Sequence, residues 1–141
     1  MIKLCDDSYS FLPICDKLNC EKLKGIKLTQ KVLYDYMVAG LFNKHIFTFV
    51  SYENTTLNGC LVLVHSKDLF KEDVLSLLFT WIDPHYPELH REFLRITEEK
   101  ARELNIKRIC FLTNRNEKLI NRKMGKYGFK KAFSVYEKEV V

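Results

Sequence analysis

Between Asp83 and Glu92 the chain reads DPHYPELHRE, ten residues that hold three carboxylates, two imidazoles and one guanidinium. Asp83, His85 and Glu88 are groups of the kind that accept a proton, and the phenols of Tyr127 and Tyr136 are of the kind that donate one. His85 and His90 with Glu88 and Glu92 also raise a metal reading. Their spacing matches no zincin signature and His85 precedes the helix that would carry the rest, so no metal is expected. Five cysteines, Cys5, Cys15, Cys20, Cys60 and Cys110, are odd in number and form no CxxC pair. They are expected to be reduced and mostly buried.

The elements that must position these groups run from Val74 to Thr113. VLSLLFTWIDP is an apolar run rich in strand-forming residues that stops at Pro84, which cannot donate to a ladder. Pro87 suits a first helical position. Leu89, Phe93, Ile96, Ala101 and Leu104 then recur at roughly helical spacing, with Arg91, Arg95, Glu98, Glu99 and Arg102 mostly elsewhere. Asn105 can end the helix in the left-handed conformation, and Ile106 to Leu112 resumes a strand. The two strands are expected to be parallel, because their connection is long enough for a crossover.

At 141 residues, 47% hydrophobic and 13% aromatic, the chain reads as a single domain, 1–141, with an ordinary core. No run approaches the roughly 20 apolar residues of a membrane span, and no signal peptide is readable. The expected location is the cytoplasm, or a virion if the chain is phage-encoded. The charge of +5 is uneven: from Lys100 onward 12 Lys and Arg face 4 Asp and Glu, a net of +8, against −3 for the first 99 residues. A basic end of this kind suits an anionic partner, either a phosphorylated cofactor or nucleic acid. Nucleic acid is not expected, since neither a recognition motif nor an exposed aromatic ladder is readable.

Taken in order, Met1 to Cys5 reads as a short strand, and Asp6 or Asp7 can cap a helix running to about Asn19. Lys22 to Leu28 is a polar connection. Thr29 caps a second helix that Gly40 is expected to stop. His45 to Glu53 and Leu57 to His65 read as strands joined by a hairpin at Asn54 to Thr56. After the central unit, Thr113 to Asn116 can cap a helix over about Glu117 to Lys126, and Phe129 to Val141 reads as a last strand or tight pair of strands. The order is β, α, α, β, β, β, α, β, α, β.

In this order the chain resembles the GNAT family of N-acetyltransferases. Three stretches carry the resemblance: Ile82 to Tyr86 (IDPHY), similar to the family's V-x-P-x-Y; Ala101 to Thr113 (ARELNIKRICFLT); and the closing KYGFKKAFSVYEKEV with its Gly-Phe at Gly128 and Phe129. The resemblance implies an α/β (α+β) three-layer fold, with about 4 helices and a mixed sheet of about 6 to 7 strands splayed between its central parallel strands. It also implies acetyl-CoA in the splay and an amine that attacks the thioester directly.

Site residues follow from that resemblance. A bulge between Leu77 and Ile82 would aim one N–H at the thioester carbonyl, with Trp81 and Ile82 marking the place. A pyrophosphate would sit at the amino end of the next helix. There the family reads Arg or Gln, two residues, Gly, one residue, Gly or Ala; this chain has Pro87, Glu88, Leu89, His90, Arg91 and Glu92, so His90 and Glu92 fill both small positions. Leu89 to Glu92 are therefore the cofactor-binding stretch, joined by Asn116, one residue out of register with the family's Asn. The family's acid, a Tyr four residues before the Gly of Gly-Phe, is here Met124, which leaves Tyr127 as the acid and Asp83 and Glu88 as proton acceptors. The expected partner is an amine substrate. The alternative is a cofactor-free GNAT-fold structural protein that binds another protein, for which small phage-encoded proteins of similar look are the nearest comparison.

Overall fold

Asn54 takes a left-handed φ of 55°, which Asn tolerates, and so closes the two-residue turn between β2 (Ile46–Glu53) and β3 (Thr56–Lys67). That hairpin is the centre of a sheet to which β1 (Ile2–Leu4), β4 (Asp73–Ile82) and β5 (Ile109–Cys110) add in the order β1-β2-β3-β4-β5. Three helices complete the described elements: α1 (Gln30–Phe42), α2 (Leu89–Glu103) and α3 (Glu117–Gly125). The computed structural model describes residues 2–5, 30–112, 116–134, 136 and 138–140. The helix expected over Asp6 to Asn19 and the connection Lys22 to Leu28 lie outside them.

The sheet is mixed. All pairings are antiparallel except β4 with β5, where Leu75 lies beside Ile109 and Ser76 beside Cys110, as the crossover required. One face packs on α1 through Met37, Val50, Cys60, Val62 and Phe79. The other packs on α2 through Leu61, Leu63, Leu75, Phe93, Ala101 and Ile106. These are the three expected layers. Of the cysteines described, Cys5 and Cys60 are buried and Cys110 is half-buried.

Several boundaries differ from expectation. Gly40 does not stop α1, which continues to Phe42; a Cβ at Gly40 would stand 3.0 Å from Ile46 Cγ2, so this glycine serves close packing of helix on strand. Pro87 precedes α2 by two residues. Asn105 does end α2 with φ 57°: its N–H donates to the Arg102 carbonyl at 3.1 Å and that of Ile106 to Ala101 at 2.7 Å, the paired bonds of a Schellman motif. On α2 the buried face also includes Leu94 and Thr97, whose hydroxyl donates to the Phe93 carbonyl at 2.8 Å.

The expected strand over Ile106 to Leu112 shrinks to Ile109–Cys110, and the last strand over Phe129 to Val141 is absent among the described residues. The described sheet thus has five strands rather than six or seven.

Candidate active site

The β4–β5 pairing ends at Ser76 and Cys110, while β4 runs on to Ile82. From Leu77 onward one edge of β4 is bonded to β3 and the other has no strand beside it among the described residues. The pair therefore opens as a V. Ser76 Oγ and Cys110 Sγ stand 3.1 Å apart at its apex.

Just beyond the apex, Val62 pairs with Phe79 and Leu63 with Leu77, so Leu78 is the extra residue of a β-bulge. Leu77 packs on the α2 side, whereas Leu78 and Phe79 both pack on the α1 side. Alternation slips by one residue here, which is why Leu77, Leu78 and Phe79 are apolar in succession. The bulge was expected at Trp81 and Ile82. Those two are regularly paired, with Cys60 and Gly59, and are packed against the α1-side and α2-side cores.

At the far end of β4 the chain turns before α2. Asp83 N–H donates to the Asn58 carbonyl at 2.9 Å, and the Asp83 carboxylate accepts from His85 N–H at 2.9 Å and meets His85 Nδ1 at 2.8 Å. The Glu53 carboxylate near the Tyr86 hydroxyl, helped by desolvation and by Asp83 and Glu88, holds the phenol above its usual value. Leu89 N–H donates to the Tyr86 carbonyl at 3.1 Å and His90 N–H to that of Pro87 at 3.3 Å. Two of the helix's first free donors are thus already engaged. Glu88 occupies the N-cap position and makes no side-chain cap bond. Leu89 is buried, with Cδ1 only 3.2 Å from where a Cβ on Gly59 would lie.

Side chains on the two flanks of α2 differ in charge. Glu92 turns toward β1, lining a groove of about 540 Å³ with Lys3 and Ser51, and it accepts from Arg95 at 3.1 Å. His90 turns toward α3. Its ring lies 5.3 Å from that of Tyr127, and burial, then Lys123 and Lys126, push its pKa below 6.5. Lys126 Nζ lies 5.1 Å from the centre of the Tyr127 ring. Composition had marked this end of the chain as basic; that Lys123 and Lys126 converge on His90 required the fold. Asn116 is spent as a cap, its Oδ1 accepting from the N–H groups of Lys118 at 3.0 Å and Leu119 at 3.4 Å. Met124 is buried. Among the described residues no three His, Cys, Asp or Glu side chains converge as a metal site would need, and no helix is long and apolar enough to cross a membrane.

The whole chain superposes on solved acetyltransferases. An aminoglycoside 6'-N-acetyltransferase from Acinetobacter haemolyticus matches over 100% of this chain and 99% of its own, with 13% identity and a TM-score of 0.74. A predicted acetyltransferase from Clostridium acetobutylicum, solved with acetyl-CoA, matches over 99% and 96% with 16% identity and a TM-score of 0.73. AAC(6')-Iy, in complex with the bisubstrate analogue CoA-S-monomethyl-acetylneamine, matches over 99% and 98% with 11% identity and a TM-score of 0.75. This is the GNAT fold. No family sequence model and no curated protein sequence matches the chain.

Within the GNAT frame the apex of the V is marked by residues that were not among the expected site residues. Leu78 and Asp83 are five residues apart, about 16 Å of strand. Ser76, Leu78 and Cys110 mark the apex of the V. Asp83, Glu88, His90, Arg91 and Tyr127 gather at its open end, around the turn into α2. The family's glycine-lined loop is absent here, and His90 at the start of α2 lies beside Tyr127, Lys123 and Lys126.

Proposed function

We propose that this chain is an N-acetyltransferase that moves an acetyl group from acetyl-CoA to an amine. The observation that carries the reading is the V between β4 and β5, with no strand beside this edge of β4 beyond Ser76 among the described residues and a bulge at Leu78. When bound, acetyl-CoA supplies an activated thioester. That edge offers backbone donors and acceptors to an extended, amide-bearing arm. His90, Arg91, Lys123 and Lys126 would hold its phosphates through side chains rather than loop amides.

Glu92 does not oppose this, because it is turned to the β1 flank and pairs with Arg95. Backbone N–H groups at the bulge suit a developing oxyanion. Ser76 Oγ and Cys110 Sγ hold a proton at the apex. Asp83 and Glu88, expected to accept the amine's proton, stand too far from the bulge for direct transfer; in this reading they shape the entrance, as Tyr127 does by packing on His90.

A competing reading, a GNAT fold that has given up its cofactor and binds a protein, draws on the Leu89 and His90 amides being already bonded. Calorimetric titration with acetyl-CoA and CoA decides between them. Micromolar binding of both supports the acetyltransferase; no heat and no thermal stabilisation at millimolar ligand refutes it.

A further inference from the structure

Helices α2 and α3 both carry several cations but are built differently. On α2 three of the four cations, all but Arg91, have a carboxylate on their own helix: Arg95 meets Glu92 and Glu99, Arg102 meets Glu98 at 3.4 Å, and Lys100 meets Glu103 at 3.3 Å. On α3 and just after it, Lys118, Arg122 and Lys126 are exposed and none has a carboxylate partner among the described residues. Their four-residue spacing sets them about 6 Å apart along one face of the helix, away from buried Met124. Such a stripe of unpaired charge has the form of a phosphate track.

A second observation adds a different chemistry beside the stripe. Lys131 pairs with Glu117 at 3.2 Å, which moors the C-terminal segment to the first turn of α3, next to Lys118. Two residues later Phe133 meets Phe70 of the β3–β4 turn, with ring centroids 6.5 Å apart and planes tilted by 30°. Both rings are exposed, at 50% and 70%, and Leu69 beside them is 86% exposed. Aromatic rings left in water next to unpaired cations suit a ligand that has both phosphates and flat apolar faces. An acidic peptide would satisfy the cations and leave the rings without a partner. The aromatic platform that the sequence did not disclose is made by residues 63 positions apart, Phe70 and Phe133, which only the fold brings together.

We propose that this surface binds single-stranded nucleic acid, with phosphates along Lys118, Arg122 and Lys126 and a base stacked on the Phe70–Phe133 platform. Lys126 is shared with the proposed acetyl-CoA phosphate cluster, whereas Lys118, Arg122 and the two phenylalanines belong to this surface alone, and the variants below are chosen among them.

The test is fluorescence anisotropy of a labelled oligouridylate of roughly 20 nucleotides, titrated with the full chain. Three phosphate contacts predict a loss of affinity of roughly 20-fold between about 50 and about 200 mM salt. Lys118→Gln with Arg122→Gln should weaken binding by about tenfold and flatten the salt dependence. Phe70→Ser with Phe133→Ser should weaken it by about fivefold or more and leave the salt slope unchanged. Circular dichroism melting of each variant confirms that it is folded, and the single variant Phe133→Ser serves if the double one is not. Absence of binding at low salt overturns the proposal. So does polyglutamate competing as well as oligonucleotide, or indifference to the phenylalanine variants, or a dimer in sedimentation that those variants dissolve.

Discussion

The imidazole of His90 lies against the ring of Tyr127, centroids 5.3 Å apart, and this contact joins the entrance of α2 to the segment after α3. Because burial and the neighbouring Lys123 and Lys126 disfavour its charged form, His90 has a folded pKa below 6.5. The sign follows directly. The unfolded chain binds a proton here more readily than the folded one, so stability from this group is full above the unfolded value. It is lost as pH falls from about 6.5 toward the lower folded value. His90→Gln should remove that acid-side slope from a stability–pH curve while leaving higher pH little changed. A bound phosphate reverses the electrostatics, so the His90 resonance followed by NMR should titrate higher with CoA present.

Charge on the two flanks of α2 separates into useful and irrelevant parts. Glu92 faces β1 and pairs with Arg95, whereas Lys123 and Lys126 face His90. Glu92→Gln should therefore change CoA affinity by less than about twofold, and Lys123→Glu with Lys126→Glu should weaken it by about tenfold or more. Calorimetry on the three proteins measures both. A gain on neutralising Glu92 would mean that its carboxylate does obstruct the phosphates.

Cap and cofactor roles for Asn116 make different demands. Its Oδ1 accepts from Lys118 and Leu119, so Asn116→Ala should cost about 1 kcal/mol and Asn116→Ser should recover most of it. If the residue is only a cap, Asn116→Ser also keeps CoA affinity. Chemical denaturation and calorimetry on the same two variants separate the roles.

What the sequence disclosed and what it withheld divide along a physical line. Local signals survived: Asn54 at the hairpin, Asn105 at the end of α2, the parallel pairing that a crossover helix demands. The bulge did not, because an extra residue in an apolar run leaves no mark when neighbours on both faces are apolar; Leu77, Leu78 and Phe79 look alike until their partners are known. Flank assignment on α2 was half legible. Positions 90 and 92 must point in different directions on a helix, but only packing decides that His90 takes the α3 side and Glu92 the β1 side. The final segment reads as a strand from its aromatic content, and among the described residues no strand is assigned there.

Asp68 binds the β3–β4 turn to β5. Its carboxylate accepts from Phe70 N–H at 2.8 Å and Glu72 N–H at 3.0 Å, and from Arg108, one residue before Ile109. Burial pushes this carboxyl upward, but the Glu72 amide, Arg108 and the Phe70 amide outweigh it and leave the pKa below 3.8. The contribution to stability is therefore present above the unfolded pKa and fades as pH falls through the folded one. Asp68→Asn keeps acceptor geometry and loses the charge. It should lower the melting temperature at neutral pH, with the difference from wild type shrinking in acid.

Gly59 gives the sharpest steric prediction. A Cβ there would lie 2.9 Å from Phe93 Cζ and 3.2 Å from Leu89 Cδ1, and Phe93 is 1% exposed with no room to withdraw. Gly59→Ala should cost about 1 to 3 kcal/mol by overpacking. The displaced ring would lift the start of α2 from the sheet, and with it the entrance that His90 shares with Tyr127. Gly59→Ala combined with Phe93→Leu should recover part of the loss, because the shorter side chain vacates the contested space; denaturant unfolding of the single and double variants forms the cycle. Additive losses would show that Gly59 is required for some reason other than the approach of Phe93.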